Sequence, residues 1–144
     1  MAESFRALVL DQKEKSVTAE FKNLTTDDLP AGEVLVRVKW STLNYKDGMV
    51  LNGLGRLVRT YPHVPGVDFS GEVVSSADDR YKPGDEVVLT GWRVGEAHWG
   101  GYAQLARVKA DWLVPLPAGI DASQAMAIGT AGFTAMLAVM ALED

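Results

Sequence analysis

Between residues 34 and 40 the chain reads Val34, Val36, Val38 and Trp40 in alternation with Leu35, Arg37 and Lys39. A period of two with one apolar face predicts a β-strand that buries those four side chains. Glycine and proline cut the sequence around it into short pieces. Leu29-Pro30-Ala31-Gly32-Glu33 predicts the turn leading in, and Lys82-Pro83-Gly84-Asp85 a turn between strands at Glu72 to Ser75 and Glu86 to Leu89. Ala7 to Leu10 and Val17 to Phe21 predict a strand pair, with the polar run Asp11 to Lys15 as its solvated turn. Tyr102 to Val108 and Trp112 to Val114 predict further short strands. Many short strands with frequent turns imply a barrel or a sandwich.

Two stretches break this texture. Asn44 to Leu51 predicts one or two helical turns, with Asn44 as cap and Asp47 where a capping-box acid belongs. From Asp121 onward the chain is rich in Ala, Met and Leu, which predicts a helix capped at Asp121 or Ser123 and broken at Gly129 or Gly132. Its last part, Thr134 to Leu142, is apolar nearly all round and calls for burial on several faces. The expected fold class is mainly β with short helices.

Charge and composition remove several functions. Fourteen Lys and Arg against nineteen Asp and Glu leave −5, with no basic stripe, so no nucleic-acid partner is expected. A local cluster of Arg and Lys can still take a small anion. With no cysteine there is neither a disulfide nor a thiolate zinc site. Met1 to Arg6 carries no apolar signal segment, and no apolar run reaches the ~20 residues of a membrane span, so a cytoplasmic protein without membrane contact is expected.

Five pieces in register carry a family resemblance. They are Leu43-Asn44-Tyr45-Lys46-Asp47, Val64 to Val73 with its Pro-Gly-Val-Asp core, Lys82 to Val87, Gly100-Gly101-Tyr102-Ala103 and Ile128 to Ala135. In this order they resemble the N-terminal half of the medium-chain dehydrogenase/reductase superfamily, over essentially the whole chain. Arg59-Thr60-Tyr61-Pro62, Leu89-Thr90-Gly91-Trp92, Gly95-Glu96, His98 to Gly101 and Lys109 to Pro117 are most similar to its acryloyl-CoA reductase group.

The resemblance implies a GroES-like β-barrel catalytic domain over 1–122. A helical segment over 123–144 would lead toward a Rossmann domain. No dinucleotide fingerprint occurs in the sequence: Gly53-Leu54-Gly55 has no strand before it, and Gly129-Thr130-Ala131-Gly132 lacks the Lys-Ser/Thr of a phosphate loop. A fragment, inactive alone and a homo-oligomer in full-length form, is the expectation.

The implied activity is reduction of the C=C bond of acryloyl-CoA to propionyl-CoA with NADPH, in bacteria that handle acrylate, including that from dimethylsulfoniopropionate. The implied substrate is an acyl-CoA. Zinc-dependent relatives place Cys at Asn44, His-Glu at Val67-Asp68 and Cys near Thr130, so no metal is implied. His63 and His98 are the only histidines, and their spacing suggests no joint site.

The resemblance makes Asn44, Tyr45 and Asp68 the candidate catalytic residues, with Asn44, Tyr45 and Thr134 toward the cofactor. Arg56, Arg59 and Trp92 are the candidates for substrate, the arginines through phosphates. Each has a plainer alternative. Asn44 can simply cap a helix, Tyr45 can be a core aromatic, and Asp68 can form a loop salt bridge. Arg56 and Arg59 can be solvated, Trp92 can fill core, and Thr134 can pack a helix. Quinone oxidoreductases of the superfamily carry a second tyrosine where Met49 stands, which tilts the reading from quinones or enones toward enoyl thioesters. A non-catalytic GroES-like binding module is the rival from another class.

Overall fold

The computed structural model describes residues 2–143. Its first element is a hairpin of β1 (Ser4–Lys13) and β2 (Ser16–Thr25), paired antiparallel from Ser4 opposite Thr25 to Lys13 opposite Ser16. The polar run expected as a turn is thus largely strand. Asp11, Gln12 and Lys13 stay in the ladder opposite Thr18, Val17 and Ser16, and Lys22, further along the partner strand, pairs with Asp11. Only Glu14 and Lys15 turn, Glu14 with φ of 56°.

A five-stranded antiparallel sheet follows. Its strands are β3 (Val34–Ser41), β4 (Phe69–Ser76), β5 (Glu86–Leu89), β6 (Leu105–Val108) and β7 (Leu113–Pro115). In space they run β6-β3-β4-β5-β7. Bridges from Ala7 to Ala103 and from Leu10 to His63 close the hairpin onto the rest. Val34, Val36, Phe69, Val73, Val87, Leu89 and Val108 fill the space inside.

The alternation in β3 holds at Val34 and Val36 and fails at Trp40, which is 55% exposed. Val38 faces Gly71 and Trp40 faces Ser70, so Lys39 is an extra residue on this strand. Such a bulge turns the next side chain to the other face. β6 likewise begins at Leu105 and not at Tyr102, because Gly100 to Tyr102 are spent on the loop at Pro65-Gly66. Gly66 has φ of 105°, and a Cβ there would stand 2.6 Å from the Tyr102 nitrogen. Two backbones meet where no side chain fits.

Helix α1 (Tyr45–Leu51) and helix α2 (Ala122–Glu143) lie outside the sheet. Asp121 caps α2 as expected: its Oδ1 accepts the Gln124 N–H at 2.8 Å, and the Gln124 side chain accepts the Asp121 N–H at 2.9 Å. By length and composition α2 is apolar enough to cross a membrane, which corrects the expectation that no run reaches that length. Gly129, at φ 49° and ψ −161°, kinks it. The longer piece, 130–143, then rises about 21 Å, short of a ~30 Å hydrocarbon core.

Candidate active site

Asp68 follows the Pro65-Gly66 turn and immediately precedes β4, and its side chain is fully buried. A buried carboxylate needs hydrogen bonds to stand in for lost water. Here four donors supply them. Oδ2 accepts the Thr42 hydroxyl at 3.0 Å, the Asn44 amide nitrogen at 3.2 Å and the Thr130 N–H at 2.9 Å, and Oδ1 accepts the Thr130 hydroxyl at 2.5 Å. No Lys or Arg is among them, so the salt bridge considered from sequence is replaced by neutral donors.

The geometry gathers three segments at this carboxyl group: the end of β3, the start of α1 and the kink of α2. A Cβ on Gly129 would stand 3.1 Å from Asp68 Oδ2 and 3.1 Å from Thr42 Cγ2. Only glycine lets the helix approach so closely and turn there. The kink aims the Thr130 N–H at the carboxyl.

Asn44 is half-buried and also donates to Thr42 Oγ1 at 2.7 Å. Its amide nitrogen points inward, so the orientation of the amide is set. Asp47, buried completely, accepts the Asn44 N–H at 2.9 Å and the Val67 N–H at 3.0 Å. It caps α1 as expected and also pins the helix to the loop before Asp68. Tyr102 closes the back of the site, donating its hydroxyl to the Thr42 carbonyl at 2.8 Å. Burial, with the Asp47 and Asp68 carboxyls beside it, pushes that phenol far above its ordinary range, so it remains a donor.

Tyr45 is 88% exposed, which excludes the core-aromatic alternative. Lys46, expected on a solvated face, reaches 3.1 Å to the buried Glu96. Thr134 is exposed on α2, one turn beyond Thr130. Among the described residues, no three His, Cys, Asp or Glu side chains form a group that could hold a metal ion.

The proposed substrate residues fall apart into two places. Arg56 and Arg59 line a cavity of about 440 Å³ beside α1. Trp92 lies in a different, apolar cavity of about 480 Å³ with Ile128, Gly129 and Phe133, and its ring stacks on Trp112 at 6.5 Å. It is 59% exposed, so it does not fill core. Thr42 and Tyr102 were not among the sequence candidates. No spacing marks Thr42, and Tyr102 stood in a motif without a role.

An antiparallel barrel whose first helix and last helix meet on one buried carboxyl group is the architecture of a GroES-like domain. The chain belongs to the alcohol dehydrogenase GroES-like domain family, which matches residues 30–118, and so to the medium-chain dehydrogenase/reductases. It is 68% identical over 142 residues to acrylyl-CoA reductase AcuI of Ruegeria pomeroyi, covering 97% of this chain and 43% of that protein. The YhdH oxidoreductase from Salmonella enterica, solved in complex with NADP, is 56% identical with a TM-score of 0.94, over 96% of this chain and 43% of that one. Bacillus subtilis YhfP, solved with NAD bound, is 44% identical with a TM-score of 0.94, over 98% and 43%. The chain therefore spans somewhat under half the length of the relatives it matches.

Proposed function

We propose that this chain is the catalytic barrel of an NADPH-dependent reductase acting on the C=C bond of acryloyl-CoA, giving propionyl-CoA. The observation that carries this reading is the 68% identity to an acrylyl-CoA reductase over 97% of the chain. Residues 1–122 would form the barrel, and 123–144 the segment that joins it to a nucleotide-binding part. The setting would be bacterial cytoplasm and acrylate metabolism.

The barrel's side chains fit a nicotinamide at the Asn44 edge. Asn44 is oriented by Thr42 and Asp68, Tyr45 next to it is exposed, and so is Thr134, one turn beyond Thr130 on α2. When bound, NADPH supplies a hydride. Charge then builds on the thioester carbonyl, and a proton must reach the α-carbon. Tyr45 is the donor placed to meet that charge and to deliver the proton, while Asn44, whose amide N–H groups go to Thr42 and Asp68, keeps its carbonyl oxygen to accept from a nicotinamide amide. Asp68 acts at one remove by fixing Asn44. It is a positioning residue rather than a base, since hydroxyl, amide and backbone donors already occupy both its oxygens. Arg56 and Arg59 would hold phosphate, and Trp92 would border the apolar side. No zinc takes part in this scheme.

The test is NADPH oxidation with acryloyl-CoA, run on this chain and on a version extended to the length of its relatives. Turnover in the extended protein alone supports the reading. Turnover with quinones or enones in place of acryloyl-CoA replaces the substrate, and no turnover with any of them restores a binding module.

A further inference from the structure

A second groove adjoins the arginine cavity. It measures about 470 Å³ and shares Leu57 and Arg59 with the first, so the two meet at the segment that follows α1. Its far wall is the glycine-rich loop, which contributes Arg93, Glu96 and Trp99.

The charge in this groove is uneven. Its carboxylate, Glu96, is matched by Lys46 at 3.1 Å, with the Arg93 Nε at a looser 3.9 Å. Arg59 makes no ion pair among the described residues, and neither does Arg56 next door. Arg59, without an ion pair, and Arg93, with only the looser Glu96 contact, face one space in a chain whose net charge is −5. Arg56 and Arg93 also sit at φ of 49° and 57°, a backbone region that non-glycine residues rarely adopt. Such strain persists where the surroundings impose it, and here it sits beside the groove.

We infer that Arg59 and Arg93 form a clamp for a nucleotide phosphate, with Trp99 as its aromatic wall. This rests on the reductase reading, and adds Arg93 and a second cavity to it. Planar guanidinium forks match phosphate oxygens two at a time, which Lys cannot do. An aromatic side chain beside them suits a base better than a bare ion. Coenzyme A and NADPH both carry such a phosphate, and Arg59 links the groove to the loop after the Asn44 helix.

The experiment is calorimetric titration of the chain, at low ionic strength, with coenzyme A, NADPH and pantetheine, which has no phosphate. Arg59→Ala and Arg93→Gln lie on different loops, and thermal melts check each for folding. Coenzyme A should bind, pantetheine should not, and each variant should weaken binding about tenfold. Arginine-dependent binding of NADPH without coenzyme A also supports the clamp and makes the dinucleotide its source. Absence of nucleotide binding, or binding that neither folded variant weakens, overturns it. The reductase assay decides the other reading separately. Acryloyl-CoA turnover without arginine-dependent binding leaves the reductase and removes the clamp. Arginine-dependent binding without turnover does the reverse.

Discussion

Asp68 and Thr130 stand 62 residues apart in sequence and share two hydrogen bonds, from the Thr130 N–H at 2.9 Å and its hydroxyl at 2.5 Å. Through this pair the segment leading into β4 holds the kink of α2. Thr130→Val keeps the backbone bond and the β-branched shape but removes the hydroxyl donor. It should cost about 1.5–3 kcal/mol, as for a hydrogen bond to a charged acceptor. Urea unfolding of the two proteins measures it. An unchanged midpoint would mean that the hydroxyl contributes nothing there.

Gly129→Ala should be worse tolerated than its size suggests. At φ 49° and ψ −161° only glycine is at ease, and the new Cβ would press on Asp68 and Thr42. A loss of about 1–3 kcal/mol is expected. Gly48→Ala is the counterpart: it lies within α1 with nothing within 4 Å of the added Cβ. That change should stabilise by about 0.5–1 kcal/mol. Thermal melting should therefore move in opposite directions for the two variants.

His63 predicts a pH dependence. It is buried, and its Nε2 lies 2.8 Å from the Gly95 carbonyl. Burial holds its pKa below the ordinary histidine value, with the charge of nearby His98 acting in the same sense against the Gly95 hydrogen bond. The unfolded chain then binds the proton first, so stability falls as pH drops through about 6.5 and is fully present above it. Melting temperatures from pH 8 to pH 5 should show that fall, and His63→Gln should flatten it. An equal slope in the variant would assign the effect to other groups.

The outer part of α2 predicts self-association. Phe133, Met136, Leu137, Val139, Met140 and Leu142 are all about half exposed or more. An apolar strip of this kind is covered when a partner is at hand. Sedimentation should show mass rising with concentration, and Leu137→Glu with Met140→Lys should abolish the rise. A monomer at all concentrations in the unaltered chain would refute it.

Sequence periodicity reached β3, β5, the cap of α1 and the break at Gly129, because each depends on neighbours along the chain. It missed Trp40, since a bulge depends on the register with Ser70 and Gly71 of another strand. It missed the continuation of β1 through Asp11 for the same reason: its partner, Thr18, lies across the ladder. The motif placed Asn44 and Asp68 in one site, where they now lie 3.2 Å apart. It could not supply Thr42, whose role comes from where β3 ends. Nor could it pair Lys46 with Glu96, which sit fifty positions apart and meet only in the folded barrel.

A helix of seven residues, such as α1, has no stability of its own in water. Asp47 holds it from within, by the Val67 N–H on one oxygen and the Asn44 N–H on the other. One inward side chain is thus the anchor for everything the helix displays outward. The outward positions, Tyr45 foremost, are at liberty to diverge: a lineage could exchange the exposed side chain while the scaffold beneath it stayed the same.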